Sequence, residues 1–121
     1  MKKLIGVFLI ISSLVVMADH SPYKFLEKRL EHTYFMVTDG AVSLEVDDFS
    51  IYNTSTGALQ VFLEIEGSKE AWLRLNKGSF NEFLRRVAND IRATLAITSK
   101  VTIVSILETH GGDEIVDQQD L

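Results

Sequence analysis

The chain has 121 residues, no cysteine, one proline and a formal net charge of −5. That acidic balance lacks the basic surface with which proteins displace counterions from nucleic acid, and it disfavours tight adhesion to anionic lipid. The missing cysteines exclude disulfides, thiolate zinc sites, a cysteine nucleophile and the acylated residue of a bacterial lipoprotein.

Residues 1–18, MKKLIGVFLIISSLVVMA, have the layout of a cleaved secretory signal peptide. Lys2 and Lys3 form the charged start and Leu4 to Met17 the apolar stretch. Val16 and Ala18 place small side chains at the −3 and −1 positions before Asp19. A membrane-spanning helix needs about 20 apolar residues. This run is shorter, so no stable membrane anchor is expected after cleavage. Removing 18 of 121 residues leaves 103, with 10 basic and 17 acidic side chains and a net charge of −7. One domain fits that length. Residues 19–110 are expected to form a single α+β domain and 111–121 an acidic, frayed C-terminal tail. The expected location is periplasmic or secreted, in a bacterium.

Ser21-Pro22 suits a helix start, with serine as cap and proline in the first turn. Tyr23, Leu26, Leu30, Tyr34 and Val37 recur at three- and four-residue steps, which predicts a helix capped by Gly40. The competing reading stops this helix near His32, makes Thr33–Thr38 a strand and uses Asp39-Gly40 as a hairpin turn. In the next strand Val42, Leu44 and Val46 alternate before the phase slips to Phe49 and Ile51. Asp47-Asp48 then forms a β-bulge that returns the apolar side chains to one face. After a polar turn at Asn53–Gly57, the second strand carries Leu59, Val61, Leu63 and Ile65. The expected register sets Ile51 opposite Leu59 and Phe49 opposite Val61.

A third strand is expected at Glu70–Asn76, paired so that Leu63 meets Leu73 and Val61 meets Leu75. Ser79 and Glu82 suggest a capping box for a helix over Ser79–Ile97, with Phe80, Phe83, Leu84, Val87, Ala88, Ile91 and Leu95 on its apolar face. A last strand, Lys100–Thr109, is β-branched and nearly continuous, the mark of a strand covered on both faces. The fold class is therefore α+β, a two-layer antiparallel sheet with packed helices in the order α-β-β-β-α-β.

Residues 110–115, His-Gly-Gly-Asp-Glu-Ile, contain four letters of the signature that names diguanylate cyclases. The resemblance covers those residues alone, with Ile115 where that family has Phe. In the family the glycines turn tightly beside a nucleotide and the acids serve metal and catalysis. Here the expected role is a glycine turn closing a hairpin between the last strand and Ile115-Val116.

The three histidines, His20, His32 and His110, have no helical i, i+4 partner for a metal. No serine sits in a nucleophile-elbow pattern. Asp47-Asp48 is expected to be a solvated bulge, and Asn53-Thr54-Ser55 a turn despite its sequon spelling. Arg86 is expected to pair with Glu82 and Asp90, leaving Arg85 and Arg92 to hold an anion or an acidic partner if they have a function. No catalytic residue, cofactor or metal is assigned.

The meander register makes one more surface. With Leu63 and Leu73 in the core, Phe62, Glu64, Trp72 and Arg74 point the other way, and Val104 and Ile106 add apolar area. Such side chains anchor protein interfaces. The favoured function is a non-enzymatic, exported interaction or assembly module that meets an envelope protein or a second copy of itself. The alternative is a small apolar-ligand or lipid carrier in the periplasm, with a small hydrolase a weaker third.

Overall fold

The structure, a computed structural model, describes residues 22–121. The expected signal peptide, His20 and the expected Ser21 cap lie outside the described residues. The elements run α1 (Lys24–Thr33), β1 (Met36–Thr38), β2 (Ser43–Asn53), β3 (Leu59–Glu66), α2 (Lys69–Arg74), α3 (Lys77–Leu95), β4 (Val101–Thr109) and β5 (Gly112–Asp120). The five strands form one mixed sheet in sequence order. All neighbours are antiparallel except β3 and β4, which run parallel. The α+β class is as expected, and the all-antiparallel arrangement is corrected. Among the described residues no helix is long and apolar enough to cross a membrane.

Helix α1 buries Leu26 and Leu30 and ends at Thr33, so the shorter of the two readings of this region is the correct one. Val37 is buried from a strand instead of a helix, opposite Leu44. The turn that follows is held by the Asp39 carboxylate, which accepts the N–H groups of Ala41 and Val42 at 2.8 and 2.7 Å. Short acidic side chains offer the backbone this local alternative to a helix.

The bulge in β2 lies where the phase slip placed it, between Val46 and Asp48. The register is two residues further along than expected, with Ile51 opposite Val61, Phe49 opposite Leu63 and Val46 opposite Ile65. The cause is the turn. Thr54 donates to the Ala58 carbonyl through both N–H and Oγ1, at 3.0 and 2.9 Å, so Asn53 pairs with Leu59. A two-residue shift keeps every side chain on its own face, which is why the apolar set stays in the core.

The expected third strand is the helix α2. Ser68 caps it by accepting the Ala71 N–H at 3.0 Å. Its buried residues are Trp72 and, just past its end, Leu75, a three-residue step. Leu73, assigned to the core by the strand reading, is 66% exposed. Asn76 then caps α3 by accepting the Ser79 N–H at 2.9 Å, so the long helix begins before Ser79. Its buried face carries Phe80, Phe83, Leu84, Val87, Ala88 and Ile91, and Ala96 closes it in a left-handed conformation at φ 56°.

Two helices between β3 and β4 carry the chain back across the sheet, which makes the β3–β4 pair parallel. Strand β4 is central, as its continuous apolar run suggests. Residues 111–121, expected to fray, instead contribute β5 at the sheet edge. The main core fills the space between the helices and one sheet face, where Val61, Leu63, Ile65, Ile103 and Leu107 meet Leu30, Phe80, Leu84 and Ile91. Each such side chain contributes about 1.5–3 kcal/mol on burial.

Candidate functional site on the second sheet face

Alternation sends the other half of each strand to the opposite face. Ser50 pairs with Phe62 and Tyr52 with Gln60 across β2 and β3. Phe62 then pairs with Val104 and Glu64 with Ile106 across β3 and β4. Phe62, Val104 and Ile106 form a small apolar cluster separate from the main core. Tyr52 packs edge-on against Phe62, ring centres 5.7 Å apart and planes at 69°. Among the described residues it is the partly buried apolar side chain packed on this cluster.

Three of the five expected interface residues, Phe62, Val104 and Ile106, are thus brought together. Trp72 and Arg74 are not. Trp72 sits on α2 in the main core, 6% exposed, with Phe80 edge-on at 4.9 Å and the Lys77 ammonium 4.3 Å above its ring. Arg74 lies on the exposed side of the same short helix. Both were assigned to the sheet face because Ala71, Leu73 and Leu75 alternate in the sequence like a strand.

The apolar cluster ends in carboxylates. Glu64, the register partner of both Asp48 and Ile106, is 1% exposed, and neither of its oxygens meets a hydrogen-bond donor. The bulge brings the Asp47 carboxylate to it, and Glu108 on β4 completes a group whose oxygens lie within 4.8 Å of one another. Burial pushes the Glu64 carboxyl up to about 9, with the adjacent Glu108 carboxyl as the next cause. Glu108 is also raised, mainly by burial. Asp48 is pushed up to about 7 by burial and then by the neighbouring Glu31 carboxyl. The expectation of a solvated bulge therefore holds for Asp47, which is exposed, and fails for Asp48.

Helix α1 supplies the acids on the far side. Strand β1 covers β2 only from Ser43 to Glu45, leaving outward N–H groups beyond it. Glu27 accepts the Ile51 N–H at 2.7 Å and Glu31 the Phe49 N–H at 3.5 Å. An open groove of about 680 Å³ shares Glu108 with the carboxylate group and is lined also by Glu45, Glu66, Glu70 and Glu114. Lys69 at its rim is paired with Glu114 at 2.6 Å.

The remaining candidates have structural roles. His110-Gly111 forms the turn of the β4–β5 hairpin, with Gly112 at φ +125° opposite Thr109, as the glycine-turn reading predicts. His32 and His110 are exposed on different elements. Arg85 takes Glu82 as its partner, and Asp90 binds Arg29 and Tyr34, so the expected Arg86 pairs are replaced. Arg92 ties the helix end to the Leu121 carbonyl at 2.8 Å. Glu108, Glu27 and Glu31 escaped the sequence reading, which set Glu64 on this face only as the partner of Trp72. The one signal was Glu64, an acid within a β3 run that is otherwise almost wholly apolar, at the same parity as Phe62. Compared with protein-family models, curated proteins and solved structures, the chain matches none of them.

Proposed function

We propose that the protein is an exported, non-enzymatic interaction module of the bacterial envelope, acting in the periplasm or as a secreted protein. In this reading the second sheet face receives an apolar segment flanked by basic residues on an envelope partner. One observation carries it. Phe62, Val104 and Ile106 form an apolar cluster separate from the main core, on the sheet face opposite the described helices, with Tyr52 as their packed apolar neighbour. In this reading the partner supplies the cover for that cluster.

The carboxylates at one end of the cluster select the chemistry of that cover. A second copy laid on the same face brings its Asp47 and Glu108 toward like groups, whose joint ionisation costs free energy. A partner with Lys or Arg beside its apolar residues meets complementary charge. The carrier reading has less behind it, because the groove beside the face is lined by carboxylates.

Residues 4–17, preceded by Lys2 and Lys3, are themselves an apolar segment with a basic flank. One experiment separates the two occupants. A photo-crosslinking amino acid is placed at Tyr52 in cells expressing the full sequence. The expected product joins Tyr52 to an apolar, Lys- or Arg-flanked peptide of another protein, and Glu108→Lys weakens it. Adducts confined to residues 1–18 of the chain itself, or to a second copy, overturn the proposal.

A further inference from the structure

Two other half-buried carboxylates of the chain have donors. Asp90 accepts from Arg29, Tyr34 and Thr94, and Glu27 from the Ile51 amide. Glu64 differs from both. It is more deeply buried than either, and both of its oxygens lack a donor. Among the described residues, none of the ion pairs reaches Glu64, Asp47 or Glu108. A buried carboxylate without a partner costs several kcal/mol unless it is neutralised or meets a cation.

The surroundings of Glu64 supply what a cation needs. Asp47, turned by the bulge, and Glu108 each bring a carboxylate oxygen within 4.8 Å of the others. Two oxygens bound to one calcium ion, each at about 2.3–2.6 Å, lie at most about 5 Å apart, whereas around magnesium the limit is about 4.2 Å. Separations within 4.8 Å fit that larger, more flexible sphere. All three donors are hard oxygens, the set that oxygen-seeking divalent cations prefer over transition metals. Asp47 is exposed, which leaves an entry path and positions for water ligands.

We propose that Asp47, Glu64 and Glu108 form a binding site for one calcium ion at the acidic end of the second sheet face. The inference does not depend on the interaction reading, because it concerns the purified chain without a partner. The bulge gives the site its geometry: without the extra residue in β2, Asp47 would not stand beside Glu64. The ion would bridge β2, β3 and β4, and binding would raise thermal stability with calcium concentration by mass action.

The test uses protein purified from cells expressing the full sequence, stripped with EDTA and titrated with calcium chloride. Calorimetry is expected to show one site per chain, accompanied by a rise in the unfolding midpoint. Asp47→Asn, at an exposed position that does not threaten folding, is expected to weaken binding at least tenfold. Glu64→Gln is expected to abolish it while keeping the circular dichroism of the parent. Folded protein that takes up no calcium overturns the proposal and leaves the trio sharing a proton instead. Binding that survives both substitutions, or that is as tight for magnesium, overturns it as well.

Discussion

Glu27 and Ile51 stand 24 positions apart, and the carboxylate of the first accepts the backbone N–H of the second at 2.7 Å. Four residues along a helix advance about 6 Å, and two residues along a strand about 6.7 Å. Glu27 and Glu31 on α1 therefore match the outward N–H groups of Ile51 and Phe49, one after the other. The helix edge protects the part of β2 that β1 leaves open, a position where unpaired strands otherwise invite association. Glu27→Ala is expected to destabilise the fold by about 1–3 kcal/mol, the cost of stranding a buried donor. Glu27→Gln, which keeps an acceptor, should recover much of this. Urea denaturation and amide exchange at Ile51 measure both effects, and unchanged exchange in Glu27→Ala would sink the edge-capping account.

Stability should fall as the solution becomes alkaline. Asp48 and Glu64 have folded-state values of about 7 and about 9, above the unfolded values of about 3.9 and 4.3. The folded chain binds the extra protons, so the stability present below pH ~4 is lost as pH rises through those two values. Asp90, held down first by its hydrogen bond from Arg29, acts in the opposite sense. So does Asp39, held down first by the Val42 N–H, and their contribution is lost on acidification. In EDTA, unfolding midpoints should peak in mildly acidic solution. Asp48→Asn should flatten the decline below pH ~7, and a profile that rises toward pH 9 contradicts the assignment.

Trp72 tests the corrected position of the α2 segment. Its ring packs on Phe80 within the core, so Trp72→Ala should cost about 3–5 kcal/mol of folding stability. Leu73→Glu, one residue on and 66% exposed, should change stability by no more than about 0.5 kcal/mol. A strand at Glu70–Asn76 would give the reverse ranking in thermal denaturation.

The hairpin glycines offer a sharper contrast. Gly112 has φ +125°, a conformation that an L side chain rarely adopts, and Gly112→Ala should cost about 1 kcal/mol or more. At Gly111 an added Cβ meets Thr109 Oγ1 at an ordinary 3.7 Å, and Gly111→Ala should be nearly neutral. Equal sensitivity of the two positions would argue against a purely conformational role for this pair.

Much of the fold was legible because apolar periodicity reports which face is buried. The slip from Val46 to Phe49 located the bulge, and the continuous run Val101–Leu107 marked a central strand. What failed were features set by single hydrogen bonds or by distant pairing. Ser68 and Asn76 define two helix starts through one side-chain contact each. Strand β5, Gly112–Asp120, is polar almost throughout and exists by pairing with β4, which its own residues do not announce. The apolar half of the candidate site was visible as Phe62, Val104 and Ile106. Its acidic half was not, because Asp47, Glu64 and Glu108 come from three strands and meet only after the parallel pairing forms.

That pairing joins Leu59–Glu66 to Val101–Glu108, residues 42 positions apart. Strand β3 therefore leaves the ribosome long before the neighbour that completes its hydrogen bonding. Hairpin β2–β3 can form early, but its inner edge stays open until β4 has been made. Non-local parallel contacts of this kind close slowly. On the proposed export route, delay has a use: a polypeptide that cannot finish its sheet until late in synthesis remains threadable while it crosses a membrane.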